Sequence, residues 1–166
     1  MRIAVIAPHW LAVPPPAYGG IEAVLDTLAR GLSDAGHDVL LYTNGDSTCP
    51  VPTAWTYEHA PGVGIGGVAG ELRHVIDAYE AVDGVDIVHD HTLIGPVFAE
   101  RFRRLSVVTT NHGPFEGELS TLYRAVGRRV PVIAISRHQA SLARDIPVAA
   151  VIHHGLDPGR FPNGAG

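Results

Sequence analysis

The sequence predicts an α/β domain of the doubly wound type, built on a mostly parallel sheet of six or seven strands. Three observations predict it. Short apolar runs suited to buried strands alternate along the chain with amphipathic segments of helical period. The first two runs, Ile3 to Ala7 and His37 to Thr43, are separated by one such amphipathic segment, which implies parallel strands joined by a right-handed crossover. Polar residues gather where the runs end, as in His89-Asp90-His91, Asn111-His112 and His153-His154. The carboxyl edge of an open α/β sheet is where ligands bind.

Each element can be justified in order. The first run stops at Pro8-His9 and leads through a proline-rich loop to Tyr18-Gly19-Gly20-Ile21-Glu22. Ile21, Val24, Leu25, Leu28 and Leu32 then share one helical face, with Glu22, Asp26 and Arg30 opposite and Gly36 as the stop. Two glycines at the mouth of a helix uncover backbone N–H groups beside its partial positive charge, which suits a diphosphate; the pair also suits a simple chain turn. Asn44 to Pro52 is rich in turn residues, and Thr56 to His59 is at most a short third strand. Gly62, Gly64 and Gly67 spell the dinucleotide pattern GxGxxG, with Asp90 further on. Pro61 interrupts what would be the preceding strand, so the stretch reads as a loop.

Leu72, Val75, Ile76 and Tyr79 define a second amphipathic helix, followed by a strand from Val85 to Asp90. Pro96 suits the first turn of a third helix reaching Leu105. Val107 to Thr110 is the next strand, and Leu119, Leu122, Tyr123 and Val126 mark a fourth helix. Val130 to Ile135 is a strand, Ser136 to Gln139 fits a capping box for a fifth helix, and Val148 to Ile152 is the last strand.

Composition narrows the functional classes. A chain of 166 residues suits one compact core, and 46% apolar with 17% charged residues excludes disorder. No apolar run approaches the length of a membrane span, so a soluble protein is expected. A net charge of −5 argues against a nucleic-acid partner. Cys49 is the only cysteine, which removes intramolecular disulfides and cysteine-based metal sites and fits a cytoplasmic location. The opening apolar run lacks a signal-peptide cleavage site. All twelve basic side chains are arginine, so no lysine can form a Schiff base. Arg101, Arg103, Arg104 and Arg124, Arg128, Arg129 cluster where two helices are expected to end. Cations complement the dipole there, and peripheral contact with an anionic membrane is the less favoured reading.

Ten histidines are many for this length. His89, Asp90, His91 and His112 are a conceivable start to a zinc site, but no further ligand signature accompanies them, and no metal is expected. No GxSxG elbow and no P-loop is present. What remains is a glycine cradle, several neutral donors, and the carboxylates Glu22, Asp90 and Glu116 to hold hydroxyl groups. That set suits a polyhydroxylated phosphate ligand.

The chain resembles the N-terminal half of GT-B-fold glycosyltransferases of the retaining family 4 type over nearly its whole length. The resemblance rests on Gly19-Gly20-Ile21-Glu22, Asp86 to His91, Thr109 to Gly113, Val132 to Ser136, and Val151 to Asp157 with Phe161. It implies transfer of a sugar, of hexosyltransferase type, from a nucleotide-sugar to an acceptor hydroxyl with retention, without an essential metal or other cofactor. Gly19 and Gly20 match the donors to the diphosphate, and His112 matches the histidine that touches the transferred sugar. Tyr18, His91, Phe115 and Arg137 fall where such proteins hold the acceptor, and Glu22 joins them as an acceptor-binding candidate. His154 departs from the family, which usually has asparagine there. Residues 1–157 are then the acceptor-side domain and 158–166 the start of an interdomain linker. The C-terminal donor domain lies outside this chain, which alone should be inactive. Two alternatives remain: a GT-B sugar-nucleotide epimerase, for which Asp90 and Glu116 are the strand-end acid/base candidates, and a non-catalytic sugar or nucleotide binding module.

Overall fold

The computed structural model describes residues 1–62 and 67–156. Seven strands, β1 (Arg2–Ile6), β2 (Asp38–Thr43), β3 (Thr53–Trp55), β4 (Ile87–Asp90), β5 (Val107–Asn111), β6 (Val132–Ala134) and β7 (Val148–Val151), form one sheet in the order β3-β2-β1-β4-β5-β6-β7. Every neighbouring pair is parallel. Helices α1 (Gly20–Asp34), α2 (Val68–Ala81), α3 (Gly95–Phe98), α4 (Gly117–Val126) and α5 (Arg137–Leu142) lie in all the crossovers except that from β2 to β3.

Register divides the core into two layers. Ala4 and Ile6 of β1 stand beside Val88 and Asp90 of β4, while Ile3 and Val5 stand beside Ile87 and His89. Side chains alternate across a strand, so these sets face opposite sides of the sheet. Ala4, Ile6, Val88 and Val132 bury against Val75 and Tyr79 of α2 and against Tyr123 and Val126 of α4. Ile3 and Val5 bury against Leu25 and Ala29 of α1. The order of winding reverses between β1 and β4, because the chain first fills one side of β1 and then the other. A crevice opens outside the carboxyl ends at such a switch. The loops after β1 and β4 flank it.

Four expectations are corrected. The third strand is Thr53–Trp55 and not Thr56 to His59. Pro52 has no N–H but offers its carbonyl, which accepts from the Leu41 N–H at 2.9 Å and starts the pairing early. The helix expected to run from Pro96 to Leu105 ends at Phe98, followed by a 3₁₀ turn over Ala99–Arg101. Ser106 already accepts from the Val88 N–H, so a helix reaching Leu105 would leave no residue to turn the chain into β5. Arg103 and Arg104 therefore follow the helical segment, whereas Arg124 does lie in the last turn of α4. The buried face of α2 is Glu71, His74, Val75, Ala78 and Tyr79, with Leu72 exposed. Gly64 of the GxGxxG pattern, together with Asp157 and Phe161, falls outside the described residues.

Candidate functional site

The loop after β1 is poor in its own donors because of its prolines, and the turn after β2 supplies the bonds it lacks. Asn44 Nδ2 donates to the Leu11 carbonyl at 2.7 Å, and the Val13 carbonyl accepts from the N–H groups of Thr48 and Cys49 at 2.9 and 3.0 Å. Val13 itself is buried. The loop ends at Gly19, whose φ of +152° is one that side-chain-bearing residues rarely adopt. A Cβ there would lie 2.6 Å from Pro15 Cβ and 2.9 Å from Glu22 Oε2. At Gly20 a Cβ would meet nothing within 4 Å. One glycine makes the turn and the other leaves room above it. Gly19 gives α1 no side-chain cap; the Glu22 N–H is taken by its own carboxylate, and those of Gly20 and Ile21 remain for another partner. Burial raises the Glu22 carboxyl above its usual range, and the bond from its own backbone N–H partly opposes that shift.

The loop after β4 is organised by two buried carboxylates. Asp90 accepts from Tyr79 Oη at 2.7 Å, from the Thr92 N–H at 2.7 Å and from Thr92 Oγ1 at 2.8 Å. Burial pushes its carboxyl up to about 6, against the opposing effect of these bonds. Asp90 is fully enclosed and holds no ligand hydroxyl. Glu71 Oε1 accepts from the N–H groups of Leu93 and Ile94 at 2.7 and 3.2 Å.

The loop after β5 carries His112 between two clamped residues. Asn111 Oδ1 accepts from the Gly113 N–H, and its Nδ2 donates to the Gly113 carbonyl, both at 2.9 Å. Gln139 Nε2 donates to the carbonyls of Asn111 and Gly113 at 2.9 and 2.6 Å, while its Oε1 accepts from the Ile135 N–H at 2.7 Å.

His89 of β4, His91 and His112 of the loops after β4 and β5, and His154 after β7 place four imidazoles in a row. His89 and His91 have ring centroids 4.0 Å apart, His91 and His112 5.2 Å, and His112 and His154 5.3 Å in a stacked arrangement. His91 Nδ1 lies 2.9 Å from His112 Nε2, and His89 Nε2 lies 2.8 Å from Thr110 Oγ1. Burial lowers His89 and His112 to about 4 and holds His91 well below its usual value, the neighbouring rings adding to the shift for His91 and His112. The row is neutral near pH 7. Two of its nitrogens face each other rather than a common centre, and among the described residues no group of three or more histidine, cysteine or carboxylate side chains is arranged to hold a metal.

A cavity of about 380 Å³ lies at the switch point, and Tyr18, Gly19, Gly20, Glu22, His91 and His112 all line it. A second cavity of about 280 Å³ lies on the α1 side of the row, bounded by His89, His91, His153 and His154. Other expected residues stand elsewhere. Phe115 is buried in the core, edge-on to Tyr123 at 5.5 Å, and does not line the cavity. Arg137 is exposed at the first residue of α5, and Glu116 is exposed at the N-cap of α4. Asn44, Glu71 and Gln139 hold the site loops and were not singled out as site residues. The capping-box pattern at Ser136 was the one signal pointing to Gln139.

An all-parallel sheet with a winding switch and a loop-lined cavity at its carboxyl edge defines a Rossmann-like α/β domain. Residues 18–160 match the model of Glycosyltransferase Family 4, and the chain belongs to that family. Its fold is that of one half of a GT-B glycosyltransferase. It is similar to sucrose-phosphate synthase from Thermosynechococcus elongatus, with a TM-score of 0.64 and 17% identity over 92% of this chain and 46% of that one. It is also similar to AviGT4, a glycosyltransferase involved in avilamycin A biosynthesis, with a TM-score of 0.61 and 23% identity over 99% of this chain and 45% of that one. The chain thus spans about half the length of either structure. No match was found among curated proteins. Among the described residues no helix is long and apolar enough to cross a membrane.

Proposed function

We propose that this chain is the acceptor-side half of a retaining glycosyltransferase, which moves a hexose from a nucleotide-sugar to an acceptor hydroxyl in a cleft completed by a second domain. The observation that carries the reading is the single cavity in which the Gly19-Gly20 turn and His112 stand together at the winding switch. The open N–H groups at the start of α1 hold the donor diphosphate. His112 bonds a hydroxyl of the transferred sugar. Positive charge develops on that sugar ring in the transition state, and a neutral imidazole, held so by burial, does not oppose it. Tyr18, Glu22 and His91 border the acceptor space. The reading calls for no metal or other cofactor and for a cytoplasmic protein. The epimerase alternative loses its acid/base pair, since Asp90 is enclosed and Glu116 lies outside the cavity.

Stabilising the leaving diphosphate is the dominant electrostatic task and falls to the second domain, so this chain alone turns over no donor. In a two-domain protein that includes this chain, His112→Ala should lower kcat about a hundredfold, roughly 3 kcal/mol. The unfolding free energy should fall by about 1–3 kcal/mol, because the buried His91 ring loses its partner, with the fold retained. Steady-state kinetics and urea denaturation are read together. Unchanged kcat removes His112 from the chemistry, loss of the fold makes it a framework residue, and turnover by this chain alone overturns the half-enzyme reading.

A further inference from the structure

We propose that His91 is a positioning residue that fixes the ring proton of His112 on Nδ1, so that His112 presents an N–H donor to the cavity. The consequence deepens the transferase reading and rests on it, whereas the place of the proton does not.

The argument begins with the 2.9 Å contact between His91 Nδ1 and His112 Nε2. Two neutral imidazoles can share that contact only if one nitrogen carries a proton and the other is bare. The other nitrogen of His91 decides which. Nε2 of His91 is enclosed and has no hydrogen-bond partner among the described residues. A proton there would be a buried N–H without an acceptor, which folded proteins avoid more strictly than an unused lone pair. The proton of His91 therefore sits on Nδ1 and is donated to His112 Nε2. Accepting at Nε2, a neutral His112 must carry its own proton on Nδ1. That atom makes no hydrogen bond among the described residues and is not one of the enclosed unpartnered atoms, so it is open to a ligand.

The surroundings hold this arrangement. The backbone N–H of His91 donates to the Ile6 carbonyl at 2.9 Å, and the His89 ring, tied to Thr110, packs against the His91 ring at 4.0 Å. His91 cannot turn its free nitrogen to His112 without losing that packing. Burial, which lowers both rings, keeps the pair uncharged at neutral pH. A ligand oxygen at His112 is thus met by a donor, which selects an oxygen with a free lone pair.

The test is long-range proton–nitrogen correlation NMR of the ¹⁵N-labelled chain at pH 7, a measurement that needs no turnover. Both His91 and His112 are expected to show a protonated Nδ1 and a bare Nε2, the reverse of the form that free histidine prefers. The amide nitrogen of asparagine superposes on imidazole Nδ1 and that of glutamine on Nε2. His91→Asn should therefore leave the His112 proton on Nδ1, and His91→Gln should release it to Nε2. A wild-type His112 protonated on Nε2 overturns the proposal, as does an unmoved proton in His91→Gln. Should the glutamine variant not fold, the wild-type and asparagine spectra decide. If the spectra come out as expected while His112→Ala leaves kcat unchanged, the catalytic role of His112 fails and the proton placement stands; if no two-domain protein that includes this chain transfers sugar, the transferase reading fails and the proton placement again stands.

Discussion

Gly19 and Gly20 are neighbours with opposite tolerances. Gly19 is held at φ +152° with Pro15 and Glu22 where a Cβ would go, while Gly20 faces open space in the first turn of α1. Gly19→Ala should cost about 1–3 kcal/mol through backbone strain and collision. Gly20→Ala should leave stability level or raise it by up to about 1 kcal/mol, since alanine favours the helix. In a two-domain protein the same methyl group should weaken donor binding. Urea denaturation of the two variants reads the difference, and equal losses would sink the division of labour. That the glycine pair, His91 and His112 come together at one cavity was legible because loop chemistry and strand ends are written in residue order. Asp90 was not read correctly, although period two already placed it opposite His89 and His91. Its partners Tyr79 and Thr92 come from another element and from the next loop, and no local pattern names them. Phe115 followed the same rule from the other side: an apolar ring near the edge joined the core.

Among the elements, α5 is short, yet it holds the His112 loop. Ser136 Oγ accepts from the Gln139 N–H at 3.0 Å, the expected half of a capping box. The other half is altered, because the Gln139 side chain reaches the Ile135 N–H and the carbonyls of Asn111 and Gly113 instead. Ser136→Ala should therefore cost about 1 kcal/mol, the usual worth of a cap. Gln139→Ala leaves the part-buried Ile135 N–H and the buried Asn111 carbonyl without these partners and should cost about 2–4 kcal/mol, at about 1–3 kcal/mol for each group left unpaired. Chemical denaturation of both variants tests the ranking, and a smaller loss in Gln139→Ala than in Ser136→Ala would refute it. The third helix and third strand were misplaced for a reason at this same scale. Apolar spacing and turn residues indicate what can form, whereas β3 and β5 begin where Pro52 and Ser106 meet carbonyl and N–H partners on strands distant in sequence. The parallel direction of the strands, by contrast, followed from the alternation itself.

The histidines that shape the cavity also set how the whole molecule meets acid. His74, His89 and His112 are lowered by burial from 6.5 to about 4, and His91 is held well below 6.5, so between about 4 and 6.5 the unfolded chain binds protons that the folded chain refuses. Stability then rises with pH; it is fully present above about 6.5 and is lost as pH falls toward 4. Asp90 acts the other way. Its carboxyl is raised from 3.8 to about 6, so the folded chain keeps a proton that the unfolded chain has lost, and stability falls as pH rises through that window. Glu22, also raised by burial, acts with Asp90, while His9 and His154, also lowered by burial, act with the other imidazoles; six lowered imidazoles oppose two raised carboxyls and prevail. The urea midpoint should drop steadily from pH 7 to pH 5, with a slope equivalent to about two or more protons taken up on unfolding. Asp90→Asn removes the opposing contribution and should steepen that slope, whatever it does to stability at pH 7. A midpoint that stays level or climbs on acidification would show that the row does not stay neutral in the folded protein. The uncharged contact between His91 and His112 would then be lost on acidification.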